Sequence, residues 1–258
     1  MRVADYLDAT RRLPLITRSE LTREKPFVVL SPHPDDETLG AGGLIYEACC
    51  VGQRVEVIVL TDGAGSHTQS RVYPPERLVQ LRKTEVMEAA DLLGLASERL
   101  HHLDLPDAHA PMHGPDFDAA VRAVVAVLDG CGAGSLFVTW GEDPHCDHKA
   151  AAAIAEAVAR KRLGLALWAY PIWGWHLDPA QDLTGAPSGG RLDIAAAAEI
   201  KQRAIAAHRS QMTYLIADDP AGFRFTATTL APFLTPFEYF YEVQVDTHHS
   251  TQAYEPQT

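Results

Sequence analysis

Three acids in a row, Asp35, Asp36 and Glu37, follow a histidine that stands between two prolines in the stretch SPHPDDETLGAGG, Ser31 to Gly43. Adjacent carboxylates repel one another and lose solvation when buried, so such a run needs a cationic partner. Pro32 and Pro34 restrict the backbone and hold His33, Asp35 and Asp36 in a small volume. Imidazole and carboxylate together suit zinc, which in catalytic sites takes three protein ligands and leaves one position for water. This motif offers two of the three. Glu37 falls in the first turn of the helix that follows, where a carboxylate complements the helix dipole.

A third ligand is on offer in TWGEDPHCDHKAAAAIAEA, where His145, Asp147 and His148 follow the apolar run SLFVTW and open another helix. Singly, each cluster has a bland explanation. HPDD reads as an Asp-capped helix after a proline turn, and HCDH as a solvated loop with a helix cap. Two such clusters at equivalent places in one repeating pattern make coincidence a poor account of both.

The elements that must position these clusters are apolar runs of strand length, each followed by a longer helical pattern. FVVL precedes Glu37 to Cys50, RVEVIVLT precedes Glu76 to Leu93, and SLFVTW precedes His148 to Lys161. That alternation marks βαβ units. Arg99 to Leu103 and Leu165 to Ala169 are weaker strand candidates, and FEYFYEVQV suits a late strand. The expected fold is three-layer α/β/α with a mostly parallel, Rossmann-like sheet of about five to seven strands. Ligands collect beyond the carboxyl ends of strands in such a sheet, which is where both clusters lie. DIAAAAEIKQRAIAAHRSQ reads as one strong helix, Pro171 to Gly190 as a long irregular loop near the site, and the tail from Asp246 as a fraying polar end. No repeat, linker or charge block divides the chain, so one domain over 1–258 is expected, with a core of about 26–245.

At 47% hydrophobic and 22% charged residues the chain has the apolar content for a sizeable core. A formal net charge of -12 argues against a binder of phosphate backbones, so nucleic acid is not an expected partner. No segment has the apolar length of a membrane span, and the charged opening MRVADYLDATRRLPLI lacks a signal-peptide core, so a cytoplasmic location is expected. Cys49, Cys50, Cys131 and Cys146 have no C-x-x-C spacing and are expected to be reduced. A nucleotide-binding module would need G-x-G-x-x-G after the first strand, whereas GAGG comes a turn inside the helix.

The two clusters resemble the PIG-L/LmbE superfamily of zinc-dependent N-deacetylases, whose hallmark is a strand-end HPDDE followed much later by H-x-D-H. TDGAGSH, RKTEVMEAADLLGL, LDLPD and KQRAIAAHRSQ are similar to further landmarks in family order, so the likeness runs from about Pro26 to Gln211. The resemblance implies His33, Asp36 and His148 as zinc ligands and Asp35 as the general base. It implies His145 as a residue that polarises the developing oxyanion or passes a proton to the leaving amine, and Asp147 as a partner that orients a histidine. Arg82 and Asp107 fall where the family places substrate contacts. Zn2+ is the implied cofactor, although an open His/His/Asp set also accepts iron, cobalt or nickel. The implied partner is a small, N-acylated, sugar-containing molecule. Competing readings are an amidase of thiol conjugates or other non-sugar amides, and a metal-holding binder without turnover. Oligomeric state stays open, a homo-oligomer included.

Where the family commonly has proline between the histidine and aspartate of its second motif, this chain has Cys146, expected as a buried structural thiol. Trp173 and Trp175, with Tyr170 and His176, offer either a stacking wall or simple loop packing. His208 is expected as a structural brace. His67, His101, His102, His109, His113 and His176 are expected as surface or hydrogen-bonded loop residues.

Overall fold

The structure, a computed structural model, describes residues 1–245, so the expectation for the tail from Asp246 lies outside the described residues. Two helices, α1 (Val3–Arg11) and α2 (Arg18–Thr22), precede the first strand. Strands and helices then alternate as β1 (Phe27–Ser31), α3 (Asp36–Cys50), β2 (Val55–Thr61), α4 (Pro75–Leu92), β3 (Leu100–Leu105), α5 (Gly114–Cys131), β4 (Ser135–Thr139), α6 (Cys146–Lys161) and β5 (Ala166–Tyr170). The described chain ends with β6 (Gly189–Asp193), α7 (Ala198–Ala207), α8 (Arg209–Met212), α9 (Ala227–Leu230) and β7 (Phe237–Glu242).

The strands make one seven-stranded sheet in the order β3-β2-β1-β4-β5-β7-β6. It is parallel from β3 to β5 and antiparallel at β5/β7 and β7/β6. Every residue of β1, β2, β4 and β5 is buried, as expected of parallel strands covered on both faces. Phe27 and Val29 point into one apolar cluster with residues of α3, α4 and α7, while Val28 and Leu30 point into another with α5 and α6. The period-two alternation of a strand thus assigns β1 to both halves of the core, and three layers result.

From β1 the chain steps outward through β2 to β3, then returns to lay β4 on the other side of β1. The sheet therefore reverses direction between β1 and β4. Leu30 lies opposite Val138 in register, so the loops leaving these two strands emerge side by side. Both sequence clusters sit in those loops. The glycines of GAGG serve packing and not phosphate, since a Cβ on Gly40 would overlap the ring of Tyr170 on β5.

Two features depart from the sequence reading or extend it. The alanine-rich stretch is not one helix: α7 starts at Ala198, stops at Ala207, and α8 restarts after a break at His208. Glu85 on α4 accepts from both the N–H and the hydroxyl of Ser210 at 2.8 and 2.6 Å, and this buried anchoring outweighs alanine's helix propensity. The buried body also extends before residue 26, because α1 packs Val3 and Tyr6 beside Trp140 and Tyr241, with the Tyr6 and Trp140 rings stacked at 5.2 Å. Among the described residues, no helix is long and apolar enough to cross a membrane.

Candidate active site

Loops at the C-terminal ends of β1 to β5 converge on a cavity of about 520 Å³. His33, Asp35 and Asp36 follow β1, Gly65 and Ser66 follow β2, Asp107 follows β3, Pro144 and His145 follow β4, and Trp173 follows β5. Arg82 enters from α4, Gln211 from α8, and Phe223 and Phe225 from the segment beyond it.

At the floor, Asp36 Oδ2 lies 3.1 Å from His33 Nδ1 and 3.1 Å from His148 Nε2, and the two ring nitrogens are 3.2 Å apart. Ligand atoms about 2.0–2.1 Å from a tetrahedral ion are separated by about 3.3 Å, so the triangle has the size one divalent metal requires. One carboxylate and two imidazoles also form a donor set suited to zinc and its transition-metal neighbours. His145 offers another ring nitrogen, within 4.8 Å of ligand atoms on His33 and His148.

Each imidazole of the triangle is held from behind. His33 Nε2 is 3.1 Å from Asp147 Oδ2 and 3.3 Å from Asp107 Oδ1. Asp147 is itself fixed by the backbone N–H groups of Ala108 and Ala110, at 2.7 and 2.9 Å, which ties the start of α6 to the loop after β3. His148 Nδ1 is 3.2 Å from Asp143 Oδ1, bent off the hydrogen-bond axis. The other oxygen of Asp143 accepts from the N–H groups of Ile172, Trp173 and Gly174 at 3.2, 2.7 and 3.2 Å. Sequence reasoning missed Asp143, although an acid two residues before His145 in GEDPHCDH was a usable signal.

Burial works against charge on both floor histidines, yet the surrounding acids win. Hydrogen bonds to Asp107, Asp147 and Asp36 push His33 well above its ordinary range, and Asp36 with Asp143 lifts His148 to about 9. Burial likewise disfavours the Asp36 carboxylate, but His148 and His33 hold it far below the usual range. The cluster therefore demands positive charge, which a dication supplies in place of two ring protons.

Asp35 stands at the N-cap position of α3 without a side-chain capping bond, and is not part of the triangle. Burial raises its pKa to about 7, against the pull of Arg82, whose Nη2 is 3.0 Å from Asp35 Oδ2. Arg82 also donates to the carbonyls of Pro34 and Gly63, while its Nε is buried without a partner among the described residues. Gly63 has φ 69°, and a Cβ there would come within 2.6 Å of Arg82 Nη1, so the residue must be glycine. His145 caps α6 with Nδ1, which accepts from Asp147 N–H at 3.2 Å. Its neutral ring consequently carries the proton on Nε2. Burial, then the charges of His33 and His148, lower its pKa.

The eight residues singled out as site candidates thus meet in one place: His33, Asp35, Asp36, Arg82, Asp107 and His145 line the cavity, with Asp147 and His148 directly behind. Other expectations need correction. Cys146 is exposed, not buried, because Asp147 and His148 take the inward faces of the first helical turn and successive positions are about 100° apart. Of the four residues that offered either a stacking wall or loop packing, Trp173 alone reaches the cavity and the other three pack. Tyr170 is buried with its hydroxyl on Leu30 O, Trp175 packs against Tyr239, and His176 lies 3.1 Å from Thr229 O. Phe223 and Phe225, distant in sequence, join Trp173 instead. His67 is buried with Nδ1 3.1 Å from Ser66 Oγ, in keeping with a hydrogen-bonded loop residue, and His208 is buried with Nε2 3.3 Å from Thr38 Oγ1, in keeping with a brace.

The family model for PIG-L, described as GlcNAc-PI de-N-acetylase, matches residues 28–159, about half of the chain, and includes both clusters. The chain belongs to the PIG-L family. It is 34% identical over 87 residues to diacetylchitobiose deacetylase of Thermococcus kodakarensis, a match that covers 34% of this chain and 32% of that protein. The chain thus aligns with about a third of that curated relative's length. Among solved structures, the PIG-L fold seen here resembles the zinc-inhibited form of teicoplanin deacetylase, with TM-score 0.64 and 16% identity over 84% of this chain and 97% of that one. It also resembles GalB, the 4-carboxy-2-hydroxymuconate hydratase of Pseudomonas putida, with TM-score 0.60 and 18% identity over 88% of this chain and 99% of that one. A deacetylase and a hydratase on one fold mean that the reaction must be argued from the site.

Proposed function

We propose that this PIG-L-family protein is a metal-dependent hydrolase that removes the N-acetyl group from an amino sugar or related small glycoconjugate, with zinc as the favoured metal. The observation that carries this reading is the His33, Asp36 and His148 triangle with Asp35 and His145 lining the same cavity. These three residues would hold the metal. A divalent ion there supplies Lewis acidity, polarising the acyl oxygen and making water nucleophilic at neutral pH.

The chain's own groups divide the remaining work. Asp35, lining the cavity beside the triangle and held by Arg82, takes a proton from the attacking water as the new C–O bond forms. The same proton then passes to the amine as the C–N bond breaks, and the remaining acid proton of the new carboxyl is taken up by the amine, leaving acetate and an ammonium product. His145, neutral and with its proton on Nε2, donates a hydrogen bond to the oxygen that gains charge. Asp147 and Asp107 fix the ring of His33. Arg82 and Gln211 line the cavity and are placed to contact the substrate.

Diacetylchitobiose deacetylase and teicoplanin deacetylase, among the relatives, favour amide hydrolysis over hydration. The test is release of acetate from N-acetylated sugars by purified protein of measured metal content, with an unsaturated dicarboxylic acid as the hydration control. Metal is added up to one equivalent, since teicoplanin deacetylase has a zinc-inhibited form. Acetate release that a chelator abolishes and added metal restores is expected. Activity indifferent to chelation, or hydration without acetate release, rejects the proposal.

A further inference from the structure

We infer that Trp173, Phe223 and Phe225 form an aromatic subsite for an apolar ring or chain on the amine half of the substrate, which makes the substrate an amphipathic conjugate and not a bare N-acetylated sugar. This rests on the N-deacetylase reading above. The three rings line the same cavity as His33 and Asp35. Trp173 and Phe225 stack at 5.4 Å with 8° between planes, and Phe223 stands edge-on to both, at 5.4 and 5.0 Å. A cluster that served packing alone would bury its rings. Here Phe225 is buried, but Trp173 and Phe223 keep exposed area toward the cavity.

The backbone holds this wall in a fixed place. Trp173 N–H donates to Asp143, the residue behind His148, and Phe223 N–H donates at 2.7 Å to Ser66 O in the loop after β2. Asp143 and Ser66 both lie in loops that also build the cavity. The rings are therefore set at a defined offset from the triangle before any ligand arrives, which lowers the ordering cost of binding. The floor residues His33, Asp35 and Asp36 are buried, whereas Trp173 and Phe223 keep exposed area. An acetyl group is too short to leave the floor. The part of the substrate that reaches the wall is accordingly carried by the amine half.

The test compares kcat/KM for N-acetylglucosamine, its phenyl β-glycoside and N-hexanoylglucosamine, using metal-loaded wild type and Phe223→Ala. The phenyl glycoside is expected to exceed the free sugar at least tenfold in wild type, the hexanoyl compound to show no such gain, and Phe223→Ala to bring the first ratio close to one. Circular dichroism and metal content check that the variant is folded. A wild-type ratio near one, a gain for the hexanoyl compound instead, or a ratio untouched by Phe223→Ala overturns the inference while leaving the deacetylase reading in place. If none of the three is hydrolysed, that reading falls, and the subsite is judged by titrating metal-free protein with phenyl β-glucoside. Saturable quenching of tryptophan fluorescence that Phe223→Ala abolishes supports the subsite, and its absence rejects it.

Discussion

Asp35 and Asp36 are neighbours with opposite surroundings, and their substitutions should separate accordingly. Asp36 faces two imidazoles, whereas Asp35 faces the Arg82 guanidinium. Asp35→Asn keeps the size and the hydrogen-bonding edge but cannot take a proton. Metal content is expected to stay near wild type while kcat falls about 10²–10⁴-fold, the usual range for loss of a general base. A parallel loss of metal would make Asp35 a ligand instead. Asp147→Ala removes the acceptor behind His33 and should weaken metal affinity about 10–100-fold, read by competition with a chromogenic chelator. His208 carries a pH signature. Burial, with the nearby Arg82 charge, holds it down at about 3 against an ordinary 6.5. The unfolded chain gains a proton there as pH drops through 6.5, but the folded chain does not until about 3. The stability it contributes is whole above 6.5 and is lost progressively toward 3, so the urea midpoint of metal-free His208→Gln should change less between about pH 7 and about pH 5 than that of wild type.

At the level of elements, the close approach of α3 to β5 depends on a missing side chain. Gly40→Ala should cost about 1–3 kcal/mol through overlap with Tyr170, seen as a melting point lower by several degrees. What the sequence revealed follows the same division between local and distant causes. β1, β2, β4 and the helices after them were readable because apolar runs and acids in the first helical turn are local signals. That the two clusters around His33 and His148 could meet was readable because each follows a parallel strand, whereas the choice of His33, Asp36 and His148 as ligands came from the family resemblance and is a proposal. The break at His208 was not readable, since it comes from Glu85 on another helix. Phe223 and Phe225 were hidden because only the fold brings them to Trp173. The outward turn of Cys146 was within reach from helical phase alone, given that Asp147 and His148 are both needed inside.

For the whole molecule, metal held at the proposed triangle would be linked to folding. A metal that binds only the folded chain adds about 2.7 kcal/mol at a hundredfold excess over its Kd, so loading should raise the melting temperature and chelation should reverse the rise. Protons compete for the same nitrogens. With His148 lifted to about 9 in the metal-free protein, affinity for the metal should be higher at about pH 8 than at about pH 6, measured by titration calorimetry. A reversed pH trend would mean that the imidazoles are not the ligands. The sheet order adds a kinetic consequence. Among the described residues β6 borders β7 and no other strand, yet β7 is the last of these strands to be made. During synthesis, residues 189–193 can meet the segment around Leu15, which bridges Arg191, but the edge that β7 covers stays unpaired until residues 237–242 emerge, long after the parallel half has all of its strands.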